Sequence, residues 1–143
     1  GYSRTYLAIA EGYFPCAFAT VRTPIARCPD SIIKRQTAPD GQAAWSDFTR
    51  LAANADWSLL QVTLHTGRTH QIRVHSSYLG HPLAGDDLYG GSRKVMQRQA
   101  LHAYRLRFIH PMTGQCISVH SQLPEDMNHL ITQAGWKDIS QRL

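Results

Sequence analysis

The chain has 143 residues, of which 43% are hydrophobic, so it is long enough to bury the core of one ordinary domain. No apolar run approaches the length that crosses a bilayer, which argues against a membrane protein. The three cysteines are odd in number and show no C-x-x-C spacing. They fit a reducing compartment better than a disulfide framework or a structural zinc site, so we expect a cytoplasmic protein.

The positive charge of the chain is concentrated in one region. Fifteen Lys and Arg against ten Asp and Glu give a net charge of +5. Residues 66–107 hold seven basic and two acidic side chains, so this region carries the whole excess and the rest of the chain is neutral. A local excess of this kind indicates a polyanionic partner, most simply nucleic acid, although a solvated basic surface would give the same count.

Strand-like segments fill the first half of the chain. The first of them alternates cleanly, with Leu7 and Ile9 on one face and Arg4 and Tyr6 on the other. Weaker strand patterns follow, and the last of the series is the strongest. In chain order, the predicted strands cover residues 2–10, 18–22, 32–36, 43–51 and 57–65.

The second half of the chain contains the predicted helices. Thr69 is a plausible N-cap, and residues 70–79 are predicted to form a helix with a core-facing stripe of Ile72, His75 and Leu79. Two more strands and a second helix, beginning at Pro124, follow it. The two strands cover residues 101–110 and 115–120. The pattern predicts an α+β fold with a mixed, mainly antiparallel sheet and a few helices.

Arg73 stands out within the first predicted helix. It lies off the apolar stripe, and burying an unpaired guanidinium is costly, so it must be exposed or paired. Its natural partner is a carboxylate or a phosphate bound in two-pronged geometry. No acidic residue nearby is obviously positioned for this, so we expect the partner on another segment, in a bound nucleic acid or outside the chain.

Tyr6 and the adjacent Asp86 and Asp87 each have two interpretations. Tyr6 is either a half-buried packing aromatic or a ring that stacks on a nucleobase. The two carboxylates are candidates for acid–base chemistry, but adjacent loop residues point apart, and Asp after Gly often satisfies the N–H groups of a turn. We favour the turn interpretation for both aspartates.

The histidines raise the question of a metal site. His65, His70 and His75 are spaced by five and His81 follows, but five residues rotate a helix by about 140°, so His70 and His75 do not share a face. The sequence has no H-E-x-x-H motif and no Cys/His ligand set. We therefore predict no metal, and a metal-dependent hydrolase built on the histidines is a less favoured alternative.

Several motifs resemble those of one enzyme family. Residues 66–75 read TGRTHQIRVH, and residues 81–90 continue as HP-x-x-GD-x-x-YG. An LHA segment at residues 101–103 leads to a His-Pro turn at 110–111, and residues 4–8 match a basic-x-Tyr-x-Ala strand. Over about residues 4–127, the chain resembles the C-terminal half of an RluA-like RNA pseudouridine synthase.

The resemblance implies an activity and a set of site residues. In that family an Asp attacks the target uridine, whose base detaches, rotates and is rejoined through carbon, without a cofactor or a metal. Tyr6 is then expected to contact the target base, Arg73 to form the ion pair with the catalytic Asp, and Leu101 to pack in the same pocket. The RNA partner is expected to be ribosomal or transfer RNA. Residues expected to contact it are Arg4, Arg68, His70, Arg93 and Lys94.

The family's nucleophile is missing from the sequence. It lies in an HRLD-x-x-(T/S)-G motif upstream of the basic-x-Tyr strand, and the chain contains no such motif, while Asp86 belongs to the family's own G-D turn. We therefore expect residues 1–143 to be the C-terminal part of a single catalytic domain and inactive alone. Arg73 would then lack its native partner here. The alternative is a catalytically dead RNA-binding module.

Overall fold

A computed structural model describes residues 2–140, which form eight strands, three α-helices and one short 3-10 helix at Asp87–Tyr89. The strands are β1 (Tyr2–Glu11), β2 (Phe18–Val21), β3 (Ile25–Arg27), β4 (Arg35–Thr37), β5 (Ser46–Ala53), β6 (Trp57–Leu64), β7 (Leu101–Ile109) and β8 (Cys116–His120). The helices are α1 (Gln71–Tyr78), α2 (Glu125–Gln133) and α3 (Lys137–Ser140).

Six of the strands form one sheet in the order β2-β5-β6-β1-β7-β8, and every pair of neighbours in it is antiparallel. Strand β1 lies in the interior of the sheet, where Tyr6 is opposite Val62 of β6 on one side and Ala103 of β7 on the other. Strands β3 and β4 pair separately as a small ribbon. The predicted α+β class, with a mainly antiparallel sheet and few helices, is confirmed.

The strand alternation places a core on each face of the large sheet. Leu7 and Ile9 of β1 belong to one buried cluster, which the apolar sides of α2 and α3 complete with Met127 and Trp136. Ala8 and Ala10 belong to a second cluster on the other face, together with Ile72 of α1. Because successive side chains of a strand point to opposite faces, β1 contributes to both cores.

Two local predictions are wrong for identifiable reasons. The strand expected at residues 32–36 begins only at Arg35, because the hydroxyl of Ser31 accepts the backbone N–H groups of Ile33 and Lys34 and holds the chain in a turn. The N-cap of α1 is His70 rather than Thr69. His70 adopts a left-handed backbone with φ of 57° and makes no side-chain capping hydrogen bond.

The remaining predicted elements agree with the structure to within a few residues. The core-facing stripe of α1 is confirmed, since Ile72 and His75 are buried and Leu79 packs against the second cluster. Within residues 2–140, no helix is both long enough and apolar enough to cross a membrane.

Candidate functional site

The turn between β6 and α1 is fixed by the buried side chain of Gln71. Its carbonyl oxygen accepts hydrogen bonds from the Thr66 hydroxyl and the Arg68 backbone N–H, at 2.8 and 2.9 Å. Its amide nitrogen donates to the Trp45 carbonyl and to the Ser46 hydroxyl, at 3.0 and 2.8 Å. These four hydrogen bonds tie the start of α1 to β5, so the direction of the helix and the side chains that follow are set.

His75 continues the same buried network. Its ring is fully buried, with Nδ1 2.8 Å from the Ser46 hydroxyl and Nε2 2.8 Å from the Thr23 carbonyl. Because a carbonyl only accepts, Nε2 carries the proton and Nδ1 accepts from Ser46. Burial lowers the pKa of His75, so the imidazole is held neutral and acts as structural support for α1.

Arg73 forms a two-pronged ion pair with Asp86. Its Nε and Nη2 donate to the two carboxylate oxygens at 2.9 and 2.8 Å, and the Asp86 side chain is completely buried. The hydrogen bonds to Asp86 raise the pKa of Arg73, and they outweigh the opposing effect of burial. The expectation that no acidic residue in the chain pairs with Arg73 is therefore wrong. The loop after α1 folds back and places Asp86 beside the helix.

The Arg73 guanidinium keeps one nitrogen unused. Within the described part of the chain, Nη1 donates no hydrogen bond, while the side chain retains 14% of its exposure. The ring of Tyr89 lies against the guanidinium, with the Arg73 Cζ 5.0 Å from the ring centroid. Arg73 is thus held on one edge and against one face, and it has donor capacity left for a second acidic group.

Asp86 and Asp87 are not a carboxylate pair. Asp86 is buried and Asp87 is exposed, as expected for adjacent residues that point apart. The Asp86 backbone carbonyl accepts hydrogen bonds from the N–H groups of Tyr89 and Gly91, which closes the turn. The turn interpretation is confirmed for the backbone, and the Asp86 side chain has the additional task of holding Arg73.

His70 is joined to this cluster through Tyr89. The Tyr89 hydroxyl accepts the backbone N–H of Arg35 at 3.0 Å and lies 2.7 Å from His70 Nδ1, so its own proton is directed to the histidine. Burial lowers the pKa of His70, and the positive charges of Arg73 and Arg35 lower it further. The predicted contact of His70 with RNA stays a prediction, whereas its position at the start of α1 is fixed.

Tyr6 and Leu101 lie together on the face of the sheet that α1 covers. Both are half-buried and pack against the cluster that contains Ala8 and Ile72. Leu101 is opposite Ala8 and Tyr6 is opposite Ala103, so the two side chains are diagonal neighbours across β1 and β7, within reach of an aromatic ring. Arg4 and Tyr6 also line a cavity of about 250 Å³ between β1 and β7.

The remaining predicted RNA-binding residues lie in different surroundings. Arg4, Arg93 and Lys94 are exposed, and Arg68 donates from Nε to the Ala43 carbonyl at 2.7 Å. The basic region is not uniformly available, because Arg98 forms an exposed two-pronged ion pair with Asp126. The positive surface of this region is therefore smaller than the sequence count of charges indicates.

The histidines do not converge on a metal site. No three His, Cys, Asp or Glu side chains within residues 2–140 are arranged to hold a metal ion. Each of the four histidines proposed as ligands has a partner of its own. His65 contacts Asp47, His70 contacts Tyr89, His75 contacts Ser46, and His81 contacts the Glu11 carbonyl.

Sequence reasoning missed Gln71, Tyr89 and the Arg73 partner Asp86. The spacing of thirteen residues between Arg73 and Asp86 spans a loop, so no periodicity links them. A polar residue directly before the apolar Ile72 in the first turn of a helix was the available signal for Gln71. The nearest signal for Asp86 was the glycine before it, since Gly85 adopts a φ of 80° that turns the chain back toward α1.

Comparison with known proteins gives consistent similarities. A family model described as RNA pseudouridylate synthase matches residues 1–78, which include Tyr6 and Arg73. An uncharacterized RNA pseudouridine synthase, YjbO of Bacillus subtilis, is 52% identical over 128 residues, which are 90% of this chain and 45% of that protein. The ribosomal large subunit pseudouridine synthase D of Zymomonas mobilis is 38% identical and covers 90% of this chain.

The fold is similar to that of a solved relative. Human RNA pseudouridylate synthase domain containing 1 superposes with a TM-score of 0.73 at 29% identity, covering 84% of this chain and 54% of that one. The chain also spans only 44% of the Zymomonas protein, so it corresponds to less than half of the curated relatives it matches. The predicted membership of the pseudouridine synthase fold is confirmed.

Proposed function

The chain belongs to the RNA pseudouridylate synthase family, and from this premise we propose that the full-length gene product converts uridine to pseudouridine in RNA. The observation that carries the proposal is the family match over residues 1–78, because it contains both Tyr6 and Arg73. The reaction is an isomerisation. The bond between N1 and C1′ breaks, a bond between C5 and C1′ forms, C5 loses a proton and N1 gains one.

The nucleophilic carboxylate is proposed to come from a segment that this chain does not contain. Arg73 supports this arrangement, because Asp86 occupies only Nε and Nη2 and leaves Nη1 for a second carboxylate. A guanidinium already fixed by one buried acid loses little freedom when it binds another, so it would orient the nucleophile at small entropic cost. The chain alone is proposed to be inactive.

Tyr6 and Leu101 are proposed to form the wall of the uridine pocket. Their diagonal contact across β1 and β7 brings an aromatic face and an aliphatic side chain to one surface, beside a cavity that Arg4 also lines. An extruded base is commonly held by stacking on an aromatic ring and by apolar packing. No cofactor is needed, since atoms and electrons balance without one.

Ribosomal RNA is the proposed substrate. The Zymomonas relative is named as a ribosomal large subunit enzyme, which supports this choice over transfer RNA. The TGRTHQIRVH motif supports placement in the RluA-like branch of the family. A cytoplasmic location is proposed as well, and three unpaired thiols, at Cys16, Cys28 and Cys116, support it.

The test uses the full-length gene product and RNA labelled with tritium at C5 of uridine. Because the isomerisation releases the C5 proton, turnover is measured as tritium that exchanges into water. We expect release from ribosomal RNA transcripts by the full-length protein and none by residues 1–143 alone. A full-length protein that binds RNA without releasing tritium would instead be the catalytically dead binding module.

A further inference from the structure

Three side chains form a stack at one end of the large sheet. The Arg22 guanidinium lies over the Trp45 ring, with Cζ 3.8 Å from the centroid, and the Trp45 and His65 rings are stacked with centroids 3.8 Å apart. These residues lie just beyond β2, just before β5 and just beyond β6, three strands that are neighbours in the sheet. None of the three belongs to a buried core cluster, so packing of the core does not explain their arrangement.

Asp47 holds both rings of this stack in place. One carboxylate oxygen accepts from Trp45 Nε1 at 3.0 Å and from the Thr20 hydroxyl at 2.8 Å, and the other lies 2.6 Å from His65 Nε2. Burial raises the pKa of Asp47, but the hydrogen bonds from His65, Thr20 and Trp45 outweigh it and the pKa is lowered. The two rings are therefore oriented by a charged carboxylate before any ligand arrives.

His65 is the accessible end of the stack. Trp45 covers one face of its ring, yet the side chain keeps 37% of its exposure. His65 lines a cavity of about 300 Å³ together with Arg4, Leu64, Thr66 and Gly67. A Cβ at Gly67 would meet no atom within 4 Å, so the space beside the ring is open.

We propose that this cavity is a subsite for one unpaired nucleotide of the RNA substrate, whose base stacks on His65. The inference rests on the proposed function for the identity of the ligand. An oriented ring backed by a second ring gives a stacking surface, and arginines at both ends, Arg22 and Arg4, supply the positive charge that a phosphate backbone requires. A nucleotide in a duplex has no free base face, so the subsite selects an unpaired one.

The subsite adjoins the proposed uridine pocket. Arg4 lines the cavity beside His65 and also the cavity beside Tyr6. Arg4 and Tyr6 are two residues apart on β1, which separates their Cα atoms by roughly 7 Å along the strand. A nucleotide stacked on His65 is thus a close neighbour of the target uridine, and it would contribute to the choice of sequence around it.

Fluorescence of a stacked base tests the subsite directly. The probe is a short oligouridylate with one central 2-aminopurine, titrated into the full-length protein. We expect quenching on binding, about tenfold weaker affinity and reduced quenching for His65→Ala, and near-normal values for His65→Phe, which keeps a ring. His129→Ala, an exposed histidine on α2, is the matched control and should behave as wild type.

Tritium release separates this inference from the proposed function. His65→Ala should raise KM for RNA more than it lowers kcat, and His65→Phe should restore KM. If wild-type protein releases no tritium, the proposed function fails, while the quenching measurements still decide the subsite. Equal affinity and quenching for wild type and His65→Ala would overturn the subsite. So would a loss that His65→Phe does not recover although it unfolds at the wild-type temperature.

Discussion

Arg73 and Asp86 are joined through two parallel hydrogen bonds in which a buried carboxylate occupies one edge of a guanidinium and leaves the other edge available. The same chain contains a second Arg–Asp fork of equal geometry at Arg98 and Asp126, but both of its side chains are exposed by about two fifths. The two forks therefore differ mainly in burial, and comparing them isolates what burial contributes.

Asp86→Asn is expected to destabilise the chain by about 3 kcal/mol, because it leaves a largely buried guanidinium without a counter-charge. Asp126→Asn, its matched control at the exposed fork, is expected to cost less than about 1 kcal/mol, since water screens that pair. Urea unfolding of the 143-residue chain measures both. Equal losses in the two variants would contradict a special role for the buried fork.

Arg73→Lys tests the role of the unused donor edge. Lysine keeps the charge but cannot bind one carboxylate through two nitrogens and offer a third to another. In the full-length protein we expect turnover to fall on the order of 10²-fold while RNA affinity is nearly kept. Tritium release and RNA titration measure these two quantities. Arg98→Lys is the control, and a comparable loss of turnover there would discard the assignment.

Gly85 is expected to tolerate no side chain. Its φ is 80°, and a Cβ would lie 1.9 Å from the Arg98 carbonyl oxygen and 2.9 Å from the Met96 Cβ. Gly85→Ala should therefore cost at least about 3 kcal/mol of stability and displace the neighbouring Asp86. Gly67→Ala, where a Cβ meets open space, is the control and should unfold within about 1 kcal/mol of wild type. Thermal and urea unfolding distinguish the two.

The stability of the chain should decrease as the pH falls below about 6.5, the ordinary pKa of histidine. Burial lowers the pKa of His75 in the folded state, so the unfolded chain binds its proton first and gains from acidification. The expected slope is at most about 1.4 kcal/mol per pH unit for this residue. His75→Gln should flatten the dependence between pH 5 and 7 in unfolding experiments, whereas His129→Gln should leave it unchanged.

Arg93→Ala with Lys94→Ala tests the exposed basic surface. Both side chains are exposed, so the double variant should weaken RNA binding and reduce the slope of affinity against salt by about 1.4. The comparison is Arg98→Ala, whose charge Asp126 already balances, and it should change the slope less. A salt dependence identical to that of wild type would exclude Arg93 and Lys94 from the RNA surface.

The strands and helices with clear periodicity were predictable from sequence, because burial on one face writes period two or three-and-a-half into the residues. Tyr2–Glu11, Trp57–Leu64 and Gln71–Tyr78 are examples. The β3–β4 ribbon was not, since its strands are three residues each and one hydroxyl, at Ser31, decides where the turn lies. Such a local hydrogen bond leaves no periodic trace.

The candidate site was predictable only in part. Arg73 was identified as a residue that needs a partner, but pairing it with Asp86 requires the path of the loop that follows α1. The stack of Arg22, Trp45 and His65 was also invisible, because its members come from three separate strand ends. Contacts of this kind depend on strand order, which the sequence pattern alone does not determine.

The interior position of β1 has a consequence for the order of folding. Its two partners, β6 and β7, follow it by roughly 50 and 100 residues, so the sheet closes through contacts of large sequence separation, which form slowly. Tyr6 meets Leu101 only when β7 docks on β1. A chain still emerging from the ribosome has its Tyr6 strand but no second wall for the pocket, and the site is assembled among the last parts of the molecule.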